Sequence, residues 1–356
     1  MMTSKRATVF LSAIAASWLP GGGAAGQAGH EHRAQPDPGE AQSGLLDVLD
    51  RADERTLVIE LGPIDLPANT DHHALEQIPV QFGEIPFDFT IRSLFADIVD
   101  EEGELVPREV LHHANLLDPT RRELFLPIML RIMAASHETP RVSVPGWLFG
   151  IPMRGGSPFL ALAMLHNPTD RDYRGVRVRL QLGYERRELL PMYSIVPFHL
   201  DTMFPQAERK AFDLPPGRSS KSYESKPAVD GMIVGLSGHL HRYATRLRLE
   251  DVTTGEVLYD VRPATDDDGH IEEIPVLLHR GKGLGARVHA SHVYRVTAEY
   301  LNPTAETIVD GGMGAVAGAF IPLDEWPRAD TTHPLYVADR QWVIASQLEH
   351  GDAHGH

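Results

Sequence analysis

Five histidines and one methionine are the residues whose types and spacing could bind a metal. His112 and His113 are adjacent in Val110-Leu111-His112-His113-Ala114-Asn115, and His166 closes the apolar run 159–165. His239 and His241 flank Leu240, and Met313 stands among glycines in Asp310-Gly311-Gly312-Met313-Gly314. Imidazole suits both Cu(II) and Cu(I), whereas a soft thioether favours Cu(I). On a strand, residues i and i+2 share a face, so His239 and His241 can offer their rings to one ion across ~6–7 Å of backbone. Neighbours such as His112 and His113 point to opposite faces. Both can serve one ion only where a bulge or a strand end turns them together; otherwise one belongs to the core and one to the surface. His166 reads either as a ligand or as a satisfied core histidine, and Met313 as a close-approach residue or a core one.

The composition narrows the chemistry. The chain has 356 residues, 33 basic and 49 acidic, for a net charge of −16. That balance argues against nucleic acid or an anionic membrane surface as a partner. Nineteen histidines and no cysteine exclude zinc fingers, iron–sulfur clusters, thiolate nucleophiles and disulfides. Any metal is left with imidazole, carboxylate or thioether ligands.

The start of the chain reads as an export signal over 1–25. Lys5 and Arg6 precede an apolar core 7–19, and Gly21-Gly22-Gly23-Ala24-Ala25 offers cleavage sites. The apolar core falls short of the roughly 20 residues of a spanning helix, and no later segment approaches that length. The expectation is an exported protein, periplasmic or extracellular, with no membrane span after signal cleavage. Residues 26–55 read as a disordered leader and 326–356 as a tail.

Between these ends the elements that must position the histidines read as strands. The segment 175–184 (GVRVRLQLGY) alternates as a half-exposed strand does, and so do 244–249 and 293–300. Residues 159–165 form a wholly apolar strand, and 251–259 carries a hairpin signal. Residues 122–133 suggest a helical turn interrupted by Pro127. Asp266-Asp267-Asp268-Gly269 lacks the ligand spacing of an EF-hand and reads as a solvated turn. Proline and glycine spread along the chain suit many short strands. A boundary fits near 185–197.

In order and spacing the six residues resemble the copper type II, ascorbate-dependent monooxygenases, the group of peptidylglycine α-hydroxylating and dopamine β-monooxygenases. The gaps are 53 residues from His113 to His166 and 72 from His241 to Met313. Leu190-Pro191-Met192-Tyr193 and Leu214-Pro215-Pro216-Gly217 add local likeness, and the resemblance covers roughly residues 75–325. It implies an all-β fold of two tandem jelly-roll-like antiparallel β-sandwich domains, 56–190 and 191–325. It implies two copper ions: one on His112, His113 and His166, reduced by ascorbate or another one-electron reductant, and a catalytic one on His239, His241 and Met313. The reaction would be hydroxylation of an aliphatic C–H of a small-molecule substrate by O2. The alternative is a non-catalytic copper-binding or scaffold protein on the same fold. Where the peptide-processing members carry a substrate-gripping arginine, this chain has Ser237. Family asparagine and tyrosine positions are Ala315 and Ala317, and a glutamine position is Met164, so a glycine-extended peptide is a poor candidate substrate. The sequence leaves the oligomeric state open.

Overall fold

The computed structural model describes residues 44–71, 74–137, 139–144, 148–186, 191–203, 211–279 and 284–348. Tyr173–Arg186 alternates between half-buried and buried positions over most of its length, whereas Met129–Ala135 is apolar but for Arg131 and is buried at every position. Period-two patterning thus gives sheet faces with one wet side, and apolar runs give strands covered on both sides.

The first half is a sandwich. One sheet runs in the order Leu46–Arg51, Thr56–Leu66, Tyr173–Arg186, Phe89–Val99, Phe149–Met153 and Tyr193–Ser194, with Val142–Ser143 also on Phe89–Val99. The other runs Gln81–Glu84, Pro158–Leu165, Leu111–Arg122 and Met129–Ala135. Leu57, Ile59, Leu61, Leu94 and Leu180 from the first sheet meet Leu111, Leu116, Phe159 and Ala163 from the second in one core.

The second half repeats the plan. Val196–Asp201, Gly314–Pro322 and Gly231–Leu240 form the centre of one sheet, with Leu277–Leu278 and Ala286–Val288 on its edge. Gly217–Ser225, Tyr294–Asn302, Ala244–Asp251 and Glu256–Val261 form the other. The expected all-β fold of two tandem, jelly-roll-like β-sandwiches is the observed one.

The two halves interlock. Leu124, Phe125, Leu126 and Ile128, from the turn before Met129–Ala135, are buried in the second core, while Val234, Ala317, Ala319 and Ile321 join the first. The turn is pinned by polar contacts as well. Ser225 Oγ donates to the Phe125 carbonyl at 2.6 Å, and the Ala228 amide to the Leu124 carbonyl at 2.8 Å. Glu123, wholly buried, accepts from the amides of Arg131 (3.1 Å) and His199 (3.2 Å).

Three expectations need correction. The leader expected over 26–55 contains the strand Leu46–Arg51, which pairs antiparallel with Thr56–Leu66 and buries one edge of the first sandwich. The tail expected over 326–356 contains the helix Pro334–Leu348. Its Tyr336 and Val343 pack on Leu117, Met129, Leu160 and Leu162, and the buried Asp339 accepts from Arg131 Nη1 at 2.8 Å. The helical turn suggested for 122–133 is a tight turn and a strand, because Pro127 ends any helix while the apolar residues after it complete a sheet. The signal over 1–25 lies outside the described residues.

Candidate metal centres

The His-x-His pair lies at the end of Gly231–Leu240, where the register with Gly314–Pro322 sets His239 opposite Ala315 and Leu240 opposite Gly314. His241 and Met313 are therefore the first residues beyond the paired ends. Gly238 makes the close approach possible: a Cβ there would sit 2.1 Å from Leu247 Cδ2 and 2.7 Å from the Ala315 carbonyl oxygen. After His241 the chain turns sharply, with Tyr243 at φ 69° and its amide donating to the Gly269 carbonyl.

The two rings are 5.3 Å apart and nearly perpendicular, at 88°. With metal–nitrogen bonds of about 2.0–2.1 Å and ring centres roughly 1.1 Å further out, two imidazoles on one ion should have centres ~4.5–5.2 Å apart for right-angle to tetrahedral geometry. The observed separation lies just beyond that range, so a shared ion needs the two rings to close by a small shift.

Tyr300 ties this pair to Met313. Its buried hydroxyl accepts from the His241 amide at 3.1 Å and the Met313 amide at 3.0 Å, and donates to the Met313 carbonyl. Burial pushes this hydroxyl well above the usual tyrosine range, and nearby Asp201 adds to the effect, so it stays a donor. The Met313 side chain is fully buried and belongs to the second core.

The same sheet carries a polar row beside His239. Directly paired residues share a face. The register His199–Ala317–Ser237 and Asp201–Ala315–His239 thus puts four polar side chains on one face, with two alanines between them. Leu200, Leu236 and Val316 take the opposite face into the second core. His199, Asp201 and Ser237 are buried, and His199 Nδ1 lies 3.3 Å from Glu123 Oε2. Of this row, sequence reasoning had found His239, Ser237 and the two alanines, and had missed His199 and Asp201. Burial of His199 and Asp201 follows from cross-strand register, which no short motif encodes. Tyr300 was visible only as one residue of an alternating strand.

The histidines of the first half also gather. A register shift between Leu111 and His113 marks the bulge that an adjacent pair requires, and it brings the rings of His112 and His113 to 4.0 Å. His166, just after Pro158–Leu165, stacks on His112 at 5.2 Å with the planes 26° apart. Its amide donates to the Val110 carbonyl and its Nε2 donates to the Glu109 carbonyl, which leaves the lone pair on Nδ1. His112 and His166 have the separation of rings on one ion. The stacked pair at 4.0 Å is too close, so ligation by all three needs one ring to turn. Among the described residues, the only three His, Asp or Glu ligand atoms mutually within 4.8 Å belong to Asp266, Asp268 and His270. These side chains are exposed, in the solvated turn anticipated above.

No family model matches this chain, and no curated protein matches it. Among solved structures it is similar to the major capsid protein P2 of bacteriophage PM2, at 8% identity and TM-score 0.34, covering 74% of this chain and 99% of that one. It is also similar to the structure of Sulfolobus turreted icosahedral virus, at 11% identity and TM-score 0.35, covering 83% and 99%. A peptide-N(4)-(N-acetyl-β-D-glucosaminyl) asparagine amidase follows at 11% identity and TM-score 0.30, covering 74% and 96%. Likeness at this level says nothing of what the chain binds or does.

Proposed function

We propose that this chain is an exported copper-binding protein of the ascorbate-dependent monooxygenase type. His239, His241 and Met313 would hold the copper at which O2 reacts. His112, His113 and His166 would hold the copper that takes electrons from ascorbate or another one-electron reductant. The observation that supports the reading best is the Tyr300 hydroxyl, which binds the backbones of His241 and Met313 at once. When bound, the two ions would supply one-electron storage and O2 activation for hydroxylating an aliphatic C–H.

The chain's own residues would set the substrate. Ser237, Ala315, Ala317 and Asp201 share the strand face next to His239 and are all buried, and none of the four is a cation that could grip a carboxylate.

A second reading, copper binding without turnover, is favoured by two observations. His112 stacks on His113 too closely for common ligation, and the Met313 side chain is packed in the second core. Copper content and ascorbate-dependent O2 uptake separate the two. Two equivalents with uptake supports the first reading, tight copper without uptake supports the second, and no copper ends both. Met313→Ile should abolish uptake while sparing copper on the first-half histidines. Unchanged uptake would show that Met313 has no part in it.

A further inference from the structure

A third pair of histidines is held in a manner the monooxygenase reading does not use. His289 and His292 lie on the turn after Ala286–Val288, which is closed by the His292 amide donating to the His289 carbonyl at 3.0 Å. Their ring centres are 4.8 Å apart and the planes are inclined at 45°. Each Nδ1 has its own carboxylate. His292 Nδ1 is 2.7 Å from Asp251 Oδ2, and His289 Nδ1 is 3.4 Å from Asp230 Oδ2.

Both carboxylates are themselves fixed. Asp251 Oδ1 accepts from the amides of Thr253 (2.9 Å) and Thr254 (3.3 Å), and Asp230 Oδ1 from the amide of Ala290 at 2.8 Å. The turn is anchored further by the His289 amide on Tyr294 Oη at 3.0 Å and the Val293 amide on Thr253 Oγ1 at 2.9 Å. An ionised carboxylate only accepts, so each Nδ1 carries the proton and each neutral ring has its lone pair on Nε2. A carboxylate on the far nitrogen is how metal-binding imidazoles are commonly held in orientation. The ring separation falls within the ~4.5–5.2 Å expected for two imidazoles on one ion. The side chains are 41% and 23% exposed, so an ion can reach them.

We infer that His289 and His292, oriented by Asp230 and Asp251, form a surface site for a borderline divalent ion such as Zn2+ or Cu2+. The ion binds both Nε2 atoms and keeps its other positions for water or an exogenous ligand. Imidazole pairs select such ions over Mg2+ or Ca2+, which prefer oxygen. The site is separate from the one at His239. Val288 pairs with Gly231, and His239 lies eight residues further along that strand, ~26 Å away. It stands whether or not the chain is an oxygenase.

The test is a Zn2+ titration of the metal-stripped full chain by calorimetry. The wild type is compared with His289→Gln, the His289→Gln/His292→Gln double variant and Asp251→Asn. The double variant should bind one zinc fewer than the wild type. Asp251→Asn should keep the count and weaken that one site by about 10–100-fold. Cu2+ added beyond the two equivalents that the proposed centres would take should broaden the ring proton resonances of His289 and His292. His289→Gln, on the more exposed ring, guards against a folding failure of the double variant and should weaken the same site. Zinc count and affinities identical in all four proteins would overturn the inference and leave the two His–Asp pairs as structural pins.

Discussion

The Tyr300 hydroxyl and the Met313 backbone exchange hydrogen bonds in both directions, the hydroxyl accepting from the amide at 3.0 Å and donating to the carbonyl. The same oxygen accepts from the His241 amide, so one phenol holds the ends of two strands together. Tyr300→Phe would leave two amides without an acceptor at a buried position, each worth about 1–3 kcal/mol. The variant should unfold at lower denaturant and bind copper more weakly at His239 and His241, with the histidines of the first half unaffected. An unchanged midpoint in urea would mean that the amides find another partner.

Gly238→Ala should also destabilise, for a different reason. The added methyl meets Leu247 on one side and the Ala315 carbonyl on the other, and a backbone atom cannot move aside as a side-chain tip can. Overpacking of this kind costs about 1–3 kcal/mol. A thermal melt checks it, and a stable variant would show that the two sheets have slack at this point.

Helix 334–348 is held by the buried Arg131–Asp339 pair. Removing one partner leaves a buried charge alone, at a cost of about 3–5 kcal/mol, whereas replacing both with apolar residues is often neutral. Asp339→Leu should release the helix to limited proteolysis, and Arg131→Met added to it should restore resistance. Equal cleavage of single and double variants would place the helix's attachment in its apolar contacts with Leu117 and Leu160.

Acid should loosen the turn at His292. Burial pushes the Asp251 carboxyl up, but hydrogen bonds from His292, Thr253 and Thr254 outweigh it and hold the group below its usual range. A carboxyl that is more acidic folded than unfolded adds stability above its unfolded value of about 3.9, and that stability is lost as pH falls below it. Unfolding free energy measured from pH 6 to pH 2 should therefore decline more steeply below pH 4 in the wild type than in Asp251→Asn. Parallel curves would show that the carboxylate has no net preference for the folded state.

Strand patterning made most of the architecture legible. Runs such as 175–184 carry their own period, and the His-x-His pair was legible as two rings on one strand face. The need for a bulge at His112 and His113 was also readable, and the register shift after Leu111 meets it. Two ends of the chain were not legible. Leu46–Arg51 has too little apolar residue to declare itself and is a strand because Thr56–Leu66 offers it an edge. The helix 334–348 gains its place from Asp339 meeting an arginine 208 positions earlier. The buried row of His199, Asp201 and Ser237 exists only once three strands are in register.

The turn 124–128 has a consequence for how the protein is made. Phe125 and the Ser225 hydroxyl that caps its carbonyl are 100 residues apart in the chain. Synthesis therefore delivers Leu124, Phe125, Leu126 and Ile128 long before the strands that cover them. Until the second half arrives, the first sandwich lacks Val234, Ala317, Ala319 and Ile321 from its own core and holds a greasy plug in water. A truncated chain ending near residue 190 would carry that plug permanently, and its early exposure is built into the order of synthesis.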